Sequence, residues 1–367
     1  MKYTVQFFTG GWKNPLYEKD VILKRIIEVT QLLDVKRIII GWNLETEIYK
    51  EVKKAIGDEI ELYLWLPVFS EIGMVEEMKP AIDIYGKQVA AFHLQEGESF
   101  TFYCPSAKEN HQSILKVFDE NFKDIGFDGV FLDKIRSQSF VAGLSGVMSC
   151  CCHKCQELFL KEGVELDEIR QALAKKSSGE VMAIADYQEP RGITFADEKI
   201  QRFMRGKQEI LTRQLESLVL SFRKRELKIG MDVFYPFMSW YVGQNIYRLS
   251  QFADFIKPMM YRKTWAPAGM SFEYHTMEEA LGCKFTHKEI SPQDLEAQVR
   301  VLVEHCDCAV APGIEVNYDE KIARTSEGYI QESIRGVKSG GGKEVVLSWD
   351  LMKAPMEHLI GISKEAG

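Results

Sequence analysis

The chain has 367 residues, 46% of them hydrophobic and 27% charged, with a formal net charge of −8. That is the ordinary globular range, long enough for one full barrel or two smaller domains. An acidic balance with no Lys/Arg stripe interleaved with aromatics excludes nucleic acid as an expected partner; the strongest basic run, Arg223-Lys224-Arg225, reads as a solvated helix end. The start, Met1 to Phe8, passes directly into a strand pattern without a leader-like apolar region, and no window of about 18 apolar residues occurs, so a cytoplasmic protein without a membrane segment is expected.

In chain order, strand Tyr3–Phe8 leads through Thr9-Gly10-Gly11-Trp12 into a helix over Tyr17–Leu33, where Val21, Ile22, Ile26, Ile27, Leu32 and Leu33 recur at helical spacing. Strand Arg37–Trp42, helix Glu45–Ile56 and strand Ile60–Pro67 follow. The segment Phe69–Tyr103, with its own apolar run Val89–Leu94, is too long for a simple connection and reads as an excursion on one face. Ser106 is placed to cap a helix reaching about Lys123. The fourth strand is Phe127-Asp128-Gly129-Val130-Phe131-Leu132-Asp133-Lys134-Ile135-Arg136, an apolar run covered on both faces that ends abruptly in charge.

About ninety residues separate this strand from the next, Leu227–Pro236. They read mostly as helix (Cys155–Lys161, Leu166–Lys175, Asp197–Arg225), so residues 137–226 form a helical insertion after strand four, without the linkers of an independent domain. Strands Ala253–Arg262, Val310–Tyr318 and Glu344–Asp350 complete the count, separated by helices Pro292–Cys306 and Ser326–Ser339. Eight strands alternating with helices predict one α/β domain over residues 1–367, a (β/α)8 TIM barrel; a doubly wound sheet would want a longer Gly-rich turn than Gly10-Gly11.

Eight cysteines are present, and four crowd into six positions, Cys150 to Cys155. Cys150-x-Cys152-x-x-Cys155 offers three thiolates to one ion, which needs a fourth ligand to close a tetrahedron. Cys104 is the best placed, at the end of the excursion before the third helix; Cys151 and His153 are alternatives. Four thiolates would close the site and make it structural.

The run Tyr103-Cys104-Pro105-Ser106, a helix, a strand ending in acid, and Cys150-x-Cys152-x-x-Cys155 before Glu157-Leu158-Phe159 resembles the zinc-containing β-galactosidases of glycoside hydrolase family 42, in clan A. The resemblance covers Tyr103–Phe159 and is architectural elsewhere. It implies a structural zinc on Cys104, Cys150, Cys152 and Cys155, an acid at the end of strand four, a nucleophile at the end of strand seven, and a homo-oligomer. The chain departs from that family where an Asn-Glu pair belongs, having Lys134-Ile135 after Asp133. Its Asp-Gly-x-x-x-Asp-x-x-Arg strand is more similar to barrel proteins grouped loosely with the glycoside hydrolases.

Read with period two, Gly129, Phe131 and Asp133 share one face and Lys134 points the other way; Gly313, Glu315 and Asn317 share a face of strand seven. Asp133 and Glu315 are thus the expected carboxylate pair of a glycosidase. Asp232, Arg136, Tyr261, Arg262, Asn317 and Asp350 are expected beside them, with Trp12, Trp42, Trp65 and Trp349 stacking against sugar rings at the strand ends. The expected function is hydrolysis of a small glycoside or oligosaccharide; a barrel that binds carbohydrate without cleaving it is the alternative.

Overall fold

The computed structural model describes residues 1–93, 98–286 and 290–366; Leu94, the last residue of the apolar run in the excursion, lies outside them. Eight parallel strands form the barrel: β1 (Lys2–Phe8), β2 (Val35–Gly41), β3 (Glu61–Pro67), β4 (Gly129–Asp133), β5 (Lys228–Val233), β6 (Phe255–Pro258), β7 (Ala309–Val310 and Gly313–Glu315) and β8 (Glu344–Ser348). Each pairs with the next, and β8 returns to β1. The seventh strand, expected unbroken from Val310, is split at Ala311-Pro312. Its first part pairs with β6 and its second with β8, because Pro312 has no N–H to give the ladder and the chain changes neighbours there.

The outer helices are α1 (Lys19–Leu32), α2 (Glu47–Ile56), α3 (Lys108–Asn121), α4 (Glu198–Arg223), α5 (Ile246–Ser250), α6 (Pro292–His305), α7 (Glu327–Ser339) and α8 (Met356–Ala366). An extra helix, Met270–Leu281, packs near the mouth. Ser106 is not the cap of α3: the N-cap is Ala107, one residue later, and among the described residues the Ser106 hydroxyl finds no partner.

The segment between β4 and α4 holds helices His153–Lys161 and Leu166–Lys175 as the spacing predicts. It also holds a hairpin, Ile184–Gln188 with Gly192–Phe195, that the helical reading did not contain. Its turn, Glu189-Pro190-Arg191-Gly192, carries the visible signal. Tyr187, Trp240 and Tyr247 all donate hydrogen bonds to Glu189 and fix the hairpin against the segment after β5.

Inside the barrel, side chains lie in layers. Phe131 stacks on Phe255 with ring centroids 5.9 Å apart, and Tyr63 meets Phe255 edge-on at 5.4 Å. Glycines make room for these rings: a Cβ on Gly129 would lie 2.4 Å from the Tyr63 ring, and one on Gly230 2.4 Å from Phe255. Below, the Arg37 guanidinium sits 4.3 Å over Phe255 and donates to Glu61 (2.9 Å), Glu344 (2.7 Å) and Thr4 (3.3 Å), tying β1, β2, β3 and β8 together. With the floor filled in this way, the cavity described below lies at the strands' C-terminal ends.

Arg37→Ala is expected to lower stability by about 2 kcal/mol, less than the roughly 3–5 kcal/mol of a broken buried pair, because Lys36 and Lys228 still reach Glu344 and Glu61. A fall in the urea midpoint checks this, and an unchanged midpoint would remove Arg37 as the closure of the floor.

Candidate active site

The site begins where β4 ends. Asp128 opens the strand by accepting from the Leu62 N–H (2.8 Å) and the Lys53 amine (2.9 Å), which fixes β4 against β3. Five residues on, Asp133 Oδ2 accepts from the Trp65 indole at 2.9 Å, and Oδ1 accepts from the Lys134 N–H. Both residues line one cavity at the barrel mouth.

Lys134 does not point away, as alternation predicts. Its φ of 53° ends the extended backbone on which the period-two argument rests. The side chain turns to the mouth, donating to Glu71 (2.8 Å) and Glu98 (3.3 Å) with its amine 4.1 Å over the Phe100 ring. Burial alone would lower this amine, but Glu71, Glu98 and Asp133 outweigh it and hold it at about 12.

Arg136 is 4% exposed, its guanidinium between the Phe102 ring (4.8 Å) and the Phe234 ring (4.3 Å). Burial pushes it down to about 10 against the pull of Glu273, Asp133 and Asp232.

Asp232 comes from β5, next to β4, and pairs in register with Lys257 of β6. The Lys257 amine donates to Asp232 Oδ2 at 3.0 Å and to Gln6 Oε1 of β1 at 3.0 Å. Ser348 of β8 donates to the same Gln6 oxygen at 3.3 Å. Among the described residues, Asp232 Oδ1 and Gln6 Nε2 have no partner. Burial raises the Asp232 carboxyl to about 7; Lys257 opposes this and the neighbouring Asp133 adds to it. Space for the lysine comes from Gly313 on β7, where a Cβ would lie 2.5 Å from Lys257 Cε.

Met259, Tyr261, Trp349, Phe100, Ile322 and the loop from Thr264 to Ala268 form the walls. The empty space, open solvent at the mouth included, is about 780 Å³.

Of the residues expected from sequence, the structure brings together Trp65, Asp133, Arg136, Asp232, Tyr261 and Trp349. It does not bring the others into the cavity. Glu315 is fully buried behind the wall, accepting from the Lys263 N–H at 2.6 Å with Thr264 at 3.5 Å, and burial raises it to about 7. Arg262 turns outward to Ile290 and Ser333, its guanidinium 4.6 Å over Tyr329.

Asn317 is enclosed, and among the described residues neither amide atom finds a partner. Asp350 accepts from the Phe8 and Met352 N–H groups, at 3.3 and 3.0 Å. Trp12 is core beside Phe122, and Trp42 packs between Phe8 and Trp65.

Sequence reading missed Gln6, Glu98, Phe100, Lys134 and Lys257 as lining residues. Gln6 and Lys257 carried a signal: each is a polar side chain inside an apolar strand, where burial is costly without a partner or a function.

The cysteines form a separate cluster. Cys104 lies before α3, Cys150 and Cys152 lie in the loop before helix His153–Lys161, and Cys155 lies in that helix's first turn; their sulfurs are all within 4.8 Å of one another. Cys104 Sγ is 3.5 Å from Cys152 Sγ and 3.6 Å from Cys155 Sγ, too far for disulfides at about 2.05 Å. These separations match the edges of a tetrahedron with metal–sulfur bonds of about 2.3 Å. The Ile82 N–H donates to Cys150 Sγ at 3.4 Å, as a neighbour that orients a metal thiolate does. The alternatives turn elsewhere: Cys151 donates to Met148 O, and His153 is exposed beside Glu157. The four thiols can hold a metal ion.

No protein-family model and no curated protein matches this chain. Among solved structures, it is similar to the glycoside hydrolase domain of PgaB (BpsB) from Bordetella bronchiseptica, with a TM-score of 0.63 and 15% identity over 99% of this chain and 97% of that one. It is similar also to Gan42B, a GH42 β-galactosidase, with a TM-score of 0.54 and 12% identity over 98% of this chain and 56% of that one. A class V chitinase from Pseudomonas fluorescens Pf-5 matches at 0.51 with 8% identity over 100% and 99%. At these identities the likeness is one of fold: this chain has the TIM-barrel fold that these glycoside hydrolases share. No described helix is long and apolar enough to cross a membrane.

Gly313→Ala is expected to displace the Lys257 amine and weaken its lowering influence, so that Asp232 titrates above its present value of about 7. Carboxyl-carbon NMR of aspartate-labelled protein checks this; an unmoved titration would show that Lys257 does not depend on the glycine.

Proposed function

We propose that the protein is a glycoside hydrolase acting on a small glycoside or oligosaccharide, with Asp232 as proton donor and Asp133 as its anionic partner. The observation that carries this is the placement of two carboxylates at the ends of adjacent strands, in one cavity, in unlike surroundings. Asp133 accepts an N–H on each oxygen, whereas Asp232 is buried, is raised to about 7 and keeps one oxygen unbonded. A carboxyl raised by burial suits the role of acid beside a second carboxyl in the same cavity.

In this reading Asp232 gives its proton to the departing glycosidic oxygen, and Asp133 stabilises the positive charge that grows on the sugar ring. Water completes the cleavage and restores the proton to Asp232. Trp65 and Trp349 offer apolar faces to the ring. Asp232 replaces Glu315 as the second carboxylate of the pair because it reaches the cavity, and it takes the proton-donor role expected at the end of strand four, leaving Asp133 as the anionic partner; Glu315 instead carries the wall loop through Lys263 and Thr264.

We further propose zinc as the ion of the four-cysteine cluster. A compact, buried thiolate tetrahedron suits it, and the spacing resembles that of the zinc-containing family 42 enzymes. The ion would pin the loop leaving β4 to the segment before α3, with no open position for chemistry.

Two outcomes are expected. In a screen of nitrophenyl glycosides, Asp133→Asn and Asp232→Asn lose about 10²-fold or more in kcat/KM, the scale of a missing acid or base, while Glu315→Gln loses far less. Turnover unchanged in both aspartate variants would contradict the pair, and binding without turnover in the wild type would favour the carbohydrate-binding barrel. Metal analysis is expected to find about one zinc per chain, with Cys152→Ser losing it and melting lower; less than roughly a quarter-equivalent after zinc-replete expression would contradict the site.

A further inference from the structure

Three cations line the cavity, and two of them are ion-paired within the protein. Lys134 is paired with Glu71 and Glu98, and Lys257 with Asp232. Arg136 makes no such pair: Glu273, Asp133 and Asp232 act on it only through space. No carboxylate among the described residues reaches its guanidinium as an ion pair, and its single hydrogen bond runs from Nη1 to Ser137 O at 2.9 Å. Yet it is 4% exposed and clamped between Phe102 and Phe234, whose ring faces fix the plane of the guanidinium.

The donors left over are Nε and Nη2. They are the two parallel N–H groups of the guanidinium's side edge, whose spacing matches two oxygens on one carbon, sulfur or phosphorus. A buried charge held flat with that edge unused is costly unless a ligand completes it. Asp133, the cavity's other charge without an ion-pair partner, is bonded to the Trp65 indole and the Lys134 N–H and not to this edge.

We infer that Arg136 is a specificity-determining residue that takes an anionic substituent, so that the substrate class is an acidic sugar, a carboxylate-bearing uronide. This rests on the glycosidase reading for the word substrate, but not for the binding itself. A planar carboxylate matches the fork; a sulfate ester presents the same pair of oxygens and is separated from it by the test.

The test is direct binding, by calorimetry or ligand-observed NMR, of methyl glucuronide, methyl glucoside and glucose 6-sulfate to the full chain at low ionic strength. The glucuronide is expected to bind about tenfold or more tighter than the glucoside, the scale of a charge-assisted fork, and tighter than the sulfate. Arg136→Gln should abolish the preference, and Arg136→Lys, which keeps the charge but not the fork, should lose most of it.

Equal binding of glucuronide and glucoside, or binding of neither, overturns the inference, and this arm uses the wild-type protein, so it does not depend on how the variants fold. A preference for the sulfate overturns the carboxylate assignment. The two readings fail separately: selective glucuronide binding without cleavage of nitrophenyl glucuronide contradicts the hydrolase alone, and cleavage of neutral glycosides without that selectivity contradicts the acidic-sugar inference alone.

Discussion

The barrel mouth depends on one buried amine. Lys257 of β6 donates to Asp232 of β5 and Gln6 of β1, and Ser348 of β8 joins through the same Gln6 oxygen, so strands on opposite sides of the barrel are tied through its centre. A charge so enclosed is tolerated only with its partner in place, since removing either one leaves the other buried and unpaired. The bare α-carbon of Gly313 is what lets the amine occupy the axis. Around that pair, Asp133 and Arg136 complete a mouth in which each charge has a fixed position before any ligand enters.

Placing charges in advance has a chemical meaning. Preorganised groups do not reorient as charge develops in a reaction, which is why such layers act more strongly in an enclosed site than in water. The layer sits on strands and not on loops: Asp133, Asp232, Lys257 and Gln6 all belong to the sheet. Glu315 also belongs to it but faces the wall, where it holds Lys263 and Thr264 at the start of the loop that closes one side of the cavity. The cysteine cluster works at the next remove, joining the segment before α3 to the one after β4.

Most of the barrel was legible because its signals are local and repeated. Unbroken apolar runs such as Val130-Phe131-Leu132 and helical spacing such as that of Ile22 and Ile26 each specify an element without knowledge of the rest. The cysteine set was legible for the same reason, through the spacing of Cys150, Cys152 and Cys155. The helix Met270–Leu281 and the hairpin at Glu189-Pro190 were not, since their patterns are short or masked by neighbouring helix.

The site was legible only in part, because periodicity says which residues share a face but not how far along the barrel axis each one lies. Glu315 and Asp232 both alternate inward on their strands, yet only Asp232 reaches the cavity. Lys134 misled for a different reason: a left-handed backbone right after β4 cancels alternation, and nothing in Asp133-Lys134-Ile135 announces it. Trp12 and Trp42 stand at strand ends as expected but are drawn into the core by Phe122, Phe8 and Trp65.

The central claim is that Asp232 donates the proton. Its carboxyl is raised to about 7, so the protonated form that the role needs is present below that pH and lost above it. The pH dependence of kcat/KM for a cleaved nitrophenyl glycoside is the most direct measurement, taken on wild type and Asp232→Asn. A decline above about pH 7 in the wild type that disappears in the variant is the predicted result; a decline that persists unchanged in Asp232→Asn would contradict it.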